Sequence, residues 1–250
     1  MKVIYHQRYC EVYASDPAAQ PGRIESINQA LQGYFDYGMP QHAGEEDVLL
    51  VHSQSHVENV KTRPLTYDIG LLAVGGAIKA SRIALEGEPA FGLIRPPGHH
   101  ASRDSSWGFC FFNNMAISIE KLRQKGKIRQ ALIVDIDLHF GDGTANIFAE
   151  EPEIAYFHVN GVNRESYLSN LSDFLTTQKV YDIIAVTAGF DRHQQDWGGL
   201  LTTSDYFTIG KMLKEAASRE CDGRRYAVLE GGYNHAVLGK NVKAFLRGME

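Results

Sequence analysis

The segment Asp135-Ile136-Asp137-Leu138-His139 closes an apolar run, Ala131-Leu132-Ile133-Val134. In an extended segment alternate side chains share a face, so Asp135, Asp137 and His139 are expected to point the same way. Two carboxylates and an imidazole on one face of an otherwise apolar strand end are costly to bury unless something compensates. A divalent cation is one compensator, and a hydrogen-bonded Asp/His cluster at a loop start is the other. In the metal case Asp137 and His139 are candidate ligands, and Asp191, from the next strand end, completes a three-ligand set. One His and two Asp leave room for water and a substrate oxygen, as a catalytic zinc site requires.

Two further segments carry chemistry. His99-His100 follows Pro96-Pro97-Gly98, where fixed proline φ angles and a permissive glycine make a rigid turn that presents two imidazoles. Asp135 and Asp142 are the candidate carboxylate partners. Such a partner fixes the tautomer and raises imidazole basicity, so one His could move a proton between water and a leaving amine. Otherwise the pair is a surface feature. Glu230-Gly231-Gly232-Tyr233-Asn234 makes a glycine loop that places Tyr233 over the site, where a phenol can donate to a developing oxyanion. Its plainer alternative is a turn with a packed tyrosine.

These residues need a frame that brings them together. Apolar runs occur at Val3–Tyr5, Asp47–Val51, Ala90–Ile94, Ala131–Asp137, Ile154–Val159, Asp182–Ala188 and Tyr226–Leu229. Helix-period segments lie between them near Arg23–Tyr37, Ile69–Glu86, Asn113–Gln124, Asp205–Arg219 and His235–Met249. Continuous apolar runs suit strands buried on both faces, as in a parallel sheet. The alternation predicts one α/β domain over residues 1–250, with helices on both sides of the sheet. Ligand sites in such sheets lie beyond the carboxyl ends of the strands. Arg95–His100, Asp135–Asp142, Gly189–His193 and Glu230–Asn234 all fall at such ends.

Bulk properties narrow the function classes. The net charge is −5 with no Lys/Arg runs, unlike a nucleic-acid-binding surface. No apolar stretch approaches the roughly 20 residues of a membrane span. The first residues carry no signal-peptide core. Cys10, Cys110 and Cys221 are far apart with no CxxC pair, as expected of free thiols in a reducing cytoplasm.

Taken together, five ordered segments resemble the histone deacetylase superfamily, which includes acetylpolyamine amidohydrolases and related bacterial deacetylases. They are Arg95–Ala101 (RPPGHHA), Gly108–Asn114 (GFCFFNN), Asp135–Thr144 (DIDLHFGDGT), Ala188–Asp191 (AGFD) and Leu229–Asn234 (LEGGYN). The RPPGHH and LEGGYN forms look more like the class II and bacterial branches. The resemblance runs from about Tyr5 to the last helix. It implies an arginase/deacetylase-like fold with a central parallel sheet of about eight strands flanked by helices. It also implies one zinc per chain on Asp137, His139 and Asp191, with His99 paired to Asp135 and His100 to Asp142. His100 would act as general base and acid, Tyr233 would hold the oxyanion, and His99 would stay mainly electrostatic. Gly108 and Phe109 would line the channel for the substrate's aliphatic stem, and Arg23 would stand near an interior pocket. A structural potassium ion around the Asp135–His139 backbone is implied too. The substrate would be a small acylated amine, an N-acetylpolyamine or an N-acyl-lysine.

The sequence departs from the family pattern at several points. Phe140 stands where many members have a second His, and Tyr156 where a Ser commonly helps hold potassium. Loops near residues 60–75 and 160–166 look short, which predicts a shallow, open site with Phe109 as an unpaired wall unless Trp197 or Trp107 moves in. Two other functions share the same signals. An arginase-like ureohydrolase with two manganese ions would need a further Asp near Asp191, where Arg192 and His193 stand instead. A non-catalytic acyl-amine binder would be expected to have lost a ligand, a dyad His or the Tyr, and none is missing.

Overall fold

The computed structural model describes residues 1–176 and 180–250. The chain opens with β1 (Lys2–Ile4), α1 (Arg23–Leu31) and β2 (Asp36–Gly38), then three helices, α2 (Glu45–Val48), α3 (Gln54–Lys61) and α4 (Pro64–Leu85), lead to β3 (Ala90–Gly92). From there strands and helices alternate: α5 (Asn114–Gln124), β4 (Ala131–Asp135), α6 (Asp142–Ile147), β5 (Ile154–His158) and α7 (Arg164–Thr176). The chain continues through β6 (Ile183–Ala188), α8 (Thr203–Glu220) and β7 (Arg225–Leu229) and closes with α9 (His235–Met249).

The seven strands form one sheet in the order β2-β1-β3-β7-β6-β4-β5, and every pairing is parallel. In register, Val134 lies beside Val186 and Phe157, and Val186 beside Ala227. Every residue of β3, β4, β6 and β7 is buried, which is why these runs are continuously apolar rather than alternating. Each fully buried Ile or Val there contributes about 1.5–3 kcal/mol relative to exposure. The flanking helices pack in two groups, α4 with α5 and α1 and α8 with α9. The four chemically loaded runs are β3, β7, β6 and β4, four neighbours at the centre of the sheet.

Three local expectations are corrected. Asp47–Val51 is not a strand, because Glu45, Glu46 and Asp47 form the acidic first turn of α2, which suits a helix N-terminus. The Asp47 carboxylate also accepts the Gly44 N–H at 3.2 Å. The helix begun at Arg23 stops at Leu31 rather than Tyr37, and Gly33, at φ 77°, turns the chain into β2. That strand lies at the sheet edge and is mostly exposed, so it has no apolar run to mark it. Strand β4 ends at Asp135, not Asp137. Beyond it, Asp135 Oδ1 accepts the Asp137 N–H (3.0 Å) and Asp137 Oδ1 accepts the His139 N–H (2.9 Å), so carboxylates replace the ladder.

The connection from β5 to α7 is only residues 159–163, and between α3 and α4 only residues 62–63. Among the described residues no helix is long and apolar enough to cross a membrane. The three cysteines are free.

Candidate active site

Four adjacent strand ends deliver the polar residues to one place. His139 Nδ1 lies 3.3 Å from Asp137 Oδ1 and 3.2 Å from Asp191 Oδ2. One donor atom from each of Asp137, His139 and Asp191 lies within 4.8 Å of the other two. Backbone amides fix the carboxylates: Gly231 N–H donates to Asp137 Oδ2 (2.8 Å) and Leu138 N–H to Asp191 Oδ1 (3.0 Å). Asp191 Oδ2 is buried and, though close to His139, accepts no hydrogen bond. Buried acceptors are normally satisfied, so a missing ligand is indicated. Gly231 keeps the space open, since a Cβ there would come within 2.6 Å of Asp137 Oδ2 and 2.8 Å of Asp191 Oδ2.

The electrostatics fit a divalent cation. The adjacent Asp137 and Asp191 carboxylates raise the His139 imidazole to about 10. Burial works against the Asp137 carboxylate, but His99 and the donors around it hold it low, while burial and the Asp137 charge push Asp191 up. Two buried carboxylates and an imidazole thus face one another where a cation would balance the charge, and ligation of a metal releases protons from such ligands.

The two imidazoles beside this cluster sit in different fields. His99 Nδ1 lies 3.1 Å from Asp135 Oδ2, and His100 Nδ1 lies 2.6 Å from Asp142 Oδ1. Burial disfavours the charged form of His99, but Asp137 and Asp135 outweigh it and hold the proton well above the ordinary range. Burial and the neighbouring His99 charge pull His100 down, against the upward effect of Asp142. The two environments thus push the neighbouring imidazoles in opposite directions, the arrangement by which a site can divide acid and base tasks. Their turn is held by Glu230, whose Oε2 accepts the N–H groups of Gly98 (2.7 Å) and His99 (3.2 Å). The buried Arg95 guanidinium ties the same turn to the carbonyls of Tyr9, Ala18, Gln20 and Glu11.

Tyr233 reaches the site from the loop after β7. Asp196 Oδ2 accepts the N–H groups of Tyr233 and Asn234, both at 2.8 Å. Burial and the Asp137 and Asp191 carboxylates raise the phenol far above its ordinary value, so it is a hydrogen-bond donor at neutral pH. Arg23 is fully buried beneath it, 5.4 Å from the ring centroid, and donates to the carbonyls of Gly232 (2.8 Å) and Glu230 (2.5 Å).

A cavity of about 110 Å³ opens between His100, His139 and Tyr233, walled by Trp107, Phe109 and Trp197. Gly108 is required by close approach, because a Cβ would lie 2.5 Å from His100 Cδ2. Phe109 follows at φ 70°, a left-handed conformation that costs an L-residue about 1–2 kcal/mol. Phe109 is not an unpaired wall. Trp197 stands edge-on to it at 6.4 Å and stacks on Tyr233 at 4.0 Å. The Trp107 ring lies tilted against His100 with centroids 4.0 Å apart, and its indole N–H donates to Asp142 Oδ2 at 2.9 Å. Four supporting groups were not legible as such: the Trp107 bond, Asp196, Glu230 and Arg192. Only Glu230 carried a signal, its place in the LEGGYN segment.

Comparison with known proteins identifies the family. The family model of the histone deacetylase domain matches residues 17–173 and 160–249. A probable deacetylase of Methanothermobacter thermautotrophicus is 32% identical over 287 residues, covering 92% of this chain and 84% of that protein. The polyamine deacetylase HDAC10 of Danio rerio is 26% identical, covering 91% of this chain and 44% of that protein. A histone deacetylase-like amidohydrolase of Pseudomonas aeruginosa is 28% identical, covering 78% and 66%. The crystal structure of the HDA15 HD domain superposes with a TM-score of 0.83 at 23% identity, over 98% of this chain and 88% of that one. The chain belongs to the histone deacetylase family. It is a deacetylase, a hydrolase of linear amide C–N bonds, in a family that depends on zinc.

Proposed function

We propose that residues 1–250 form a single deacetylase domain that removes an acetyl or other short acyl group from an amine, with N-acetylpolyamines and N-acyl-lysines as the substrate class. The observation that carries this is the convergence of the Asp137, His139 and Asp191 donors, the His100–Asp142 pair and the Tyr233 phenol on one small cavity. Zinc held by the three donors would supply Lewis acidity to the amide carbonyl and to the attacking water. His100, with Nδ1 engaged by Asp142, takes the water proton at Nε2 and returns it to the amine nitrogen as the C–N bond breaks. Tyr233 donates its phenolic hydrogen bond to the oxyanion. His99, held protonated between Asp135 and Asp137, contributes charge rather than proton transfer.

The substrate class follows from the walls. Gly108 and Phe109 flank the path of an aliphatic stem, and Trp197 stands opposite. Trp107 and Trp197 are more than half exposed, which supports a shallow, open mouth. The two short connections, at residues 62–63 and 159–163, support trimmed loops near 60–75 and 160–166. Relatives named as polyamine deacetylases support a small acetylated amine. Free thiols support a reducing compartment such as the cytoplasm.

The test is a panel of acetylated polyamines, acetyl-lysine peptides and longer acyl-lysines on the zinc-loaded protein. Release of carboxylic acid from at least one class is expected, with short acyl groups preferred. No hydrolysis of any would reject the proposal.

Trp107 offers a narrower prediction. Trp107→Phe keeps a ring over His100 and loses the donor to Asp142. A hydrogen bond to a charged group contributes about 1.5–3 kcal/mol, and Asp142 is partly exposed, so the low end applies. A fall in kcat of about tenfold with little change in KM is expected. Steady-state kinetics equal to wild type would remove Trp107 from the dyad.

A further inference from the structure

The monovalent cation implied by the resemblance would draw on main-chain carbonyls around Asp135–His139, and here the carbonyls of Asp135, Ile136, Asp137 and Leu138 each accept a protein hydrogen bond. Arg192, 7% exposed, lies under the metal cluster. Its Nε donates to the Asp137 carbonyl and its Nη2 to the carbonyls of Leu138 and Val159, all at 3.2 Å, with Nη2 also 3.2 Å from His158 Nε2. The guanidinium carbon sits 5.1 Å from the centroid of the buried Tyr167 ring, whose hydroxyl donates to the Ile136 carbonyl at 3.3 Å. On the remaining side the Tyr156 hydroxyl donates to Asp135 Oδ2 at 2.9 Å and accepts the Gly141 N–H at 2.9 Å. Asp135 Oδ1 is taken by the Asp137 N–H.

These residues do not fit an exchangeable cation. The carbonyls of Ile136, Asp137, Leu138 and Val159 each have a protein donor, and a second positive charge among them would face the guanidinium. We infer that Arg192 is the fixed cation of this centre and replaces a monovalent ion. It positions the segment that carries Asp137 and His139, and its planar fork spans two chain segments as an ammonium would not. Its charge also offsets three buried carboxylates, Asp135, Asp137 and Asp191. The inference rests on reading Asp137 and His139 as metal ligands.

Crystals of the zinc-loaded protein soaked in rubidium chloride provide the direct test. No anomalous peak is expected among the carbonyls of Asp137, Leu138 and Val159; a peak there overturns the inference. Arg192→Ala should weaken zinc binding about 10–100-fold, as loss of an outer-shell partner does. In that variant potassium, but not choline at equal ionic strength, should partly restore zinc binding. Arg192→Lys should fall between. Zinc affinity unchanged in both variants also overturns the positioning role. If Arg192→Ala does not fold, the wild-type rubidium result and Arg192→Lys still decide. Neither readout uses turnover, so failure of the deacetylase reading would show separately, in the substrate panel.

Discussion

Asp191→Ala is expected to take the zinc content from about one per chain to near zero and to abolish turnover, while the protein stays folded. On the proposed reading Asp191 gives one oxygen to architecture and the other to the metal. Oδ1 accepts the Leu138 N–H, while Oδ2 is buried, unpartnered and 3.2 Å from His139 Nδ1. Its removal leaves Asp137 and His139 as an incomplete donor pair. A catalytic metal supplies several kcal/mol of transition-state stabilisation, and about 1.4 kcal/mol is a factor of ten. A loss of three or more orders of magnitude in kcat/KM follows. Loss of Oδ1 frees only one loop amide, so circular dichroism should match wild type. Metal analysis after gel filtration checks the assignment, and zinc retained at wild-type level would remove Asp191 from the ligand set.

The part of this fold that could be read in the sequence is the part that is buried on both faces. Strands β3, β4, β6 and β7 have no solvent side, so their residues are apolar apart from Asp135, Thr187 and Arg225, and their carboxyl ends can be counted from the sequence alone. Strand β2 is exposed at the edge, and the run Asp47–Val51 looks strand-like only until the acidic turn before it is recognised as a helix start. The site divides in the same way. His99, His100, Asp137, His139 and Tyr233 lie in short ordered segments whose residue types announce chemistry. What holds them does not. Tyr233 is anchored by Asp196, 37 residues earlier, and Asp142 is bridged to Trp107 across 35. Arg192 follows Asp191 directly yet acts on carbonyls more than 30 residues away. A carbonyl acceptor has no side-chain signature, so this layer becomes legible only when the strands are laid side by side. The Phe109 wall is a related case. The brevity of the β5–α7 connection is legible in the sequence, but the aromatic neighbour of Phe109, Trp197, comes from a loop tied to Asp191 through the Gly198 N–H (2.7 Å).

Tyr233→Phe separates the oxyanion donor from the metal. Phenylalanine fits where tyrosine packs: the ring is stacked by Trp197 at 4.0 Å, flanked by Phe109 at 5.9 Å and backed by Arg23 at 5.4 Å. Its backbone is held by Asp196 whatever the side chain. The substitution therefore deletes one O–H and leaves zinc, fold and walls in place. Burial and the nearby carboxylates keep that O–H protonated, so across the working pH range it is available as a donor and not as a base. Loss of one donor aimed at an oxyanion costs about 10²–10³ in kcat, or roughly 2.7–4 kcal/mol. The expected result is that kcat falls by that factor, with KM within a few-fold of wild type and one zinc per chain retained. The split matters because the apolar walls Phe109 and Trp197 act the other way: they hold substrate and transition state alike, so their loss should appear first in KM. If Tyr233→Phe instead raised KM at unchanged kcat, the phenol would be a binding contact, and the oxyanion would rest on the metal site alone.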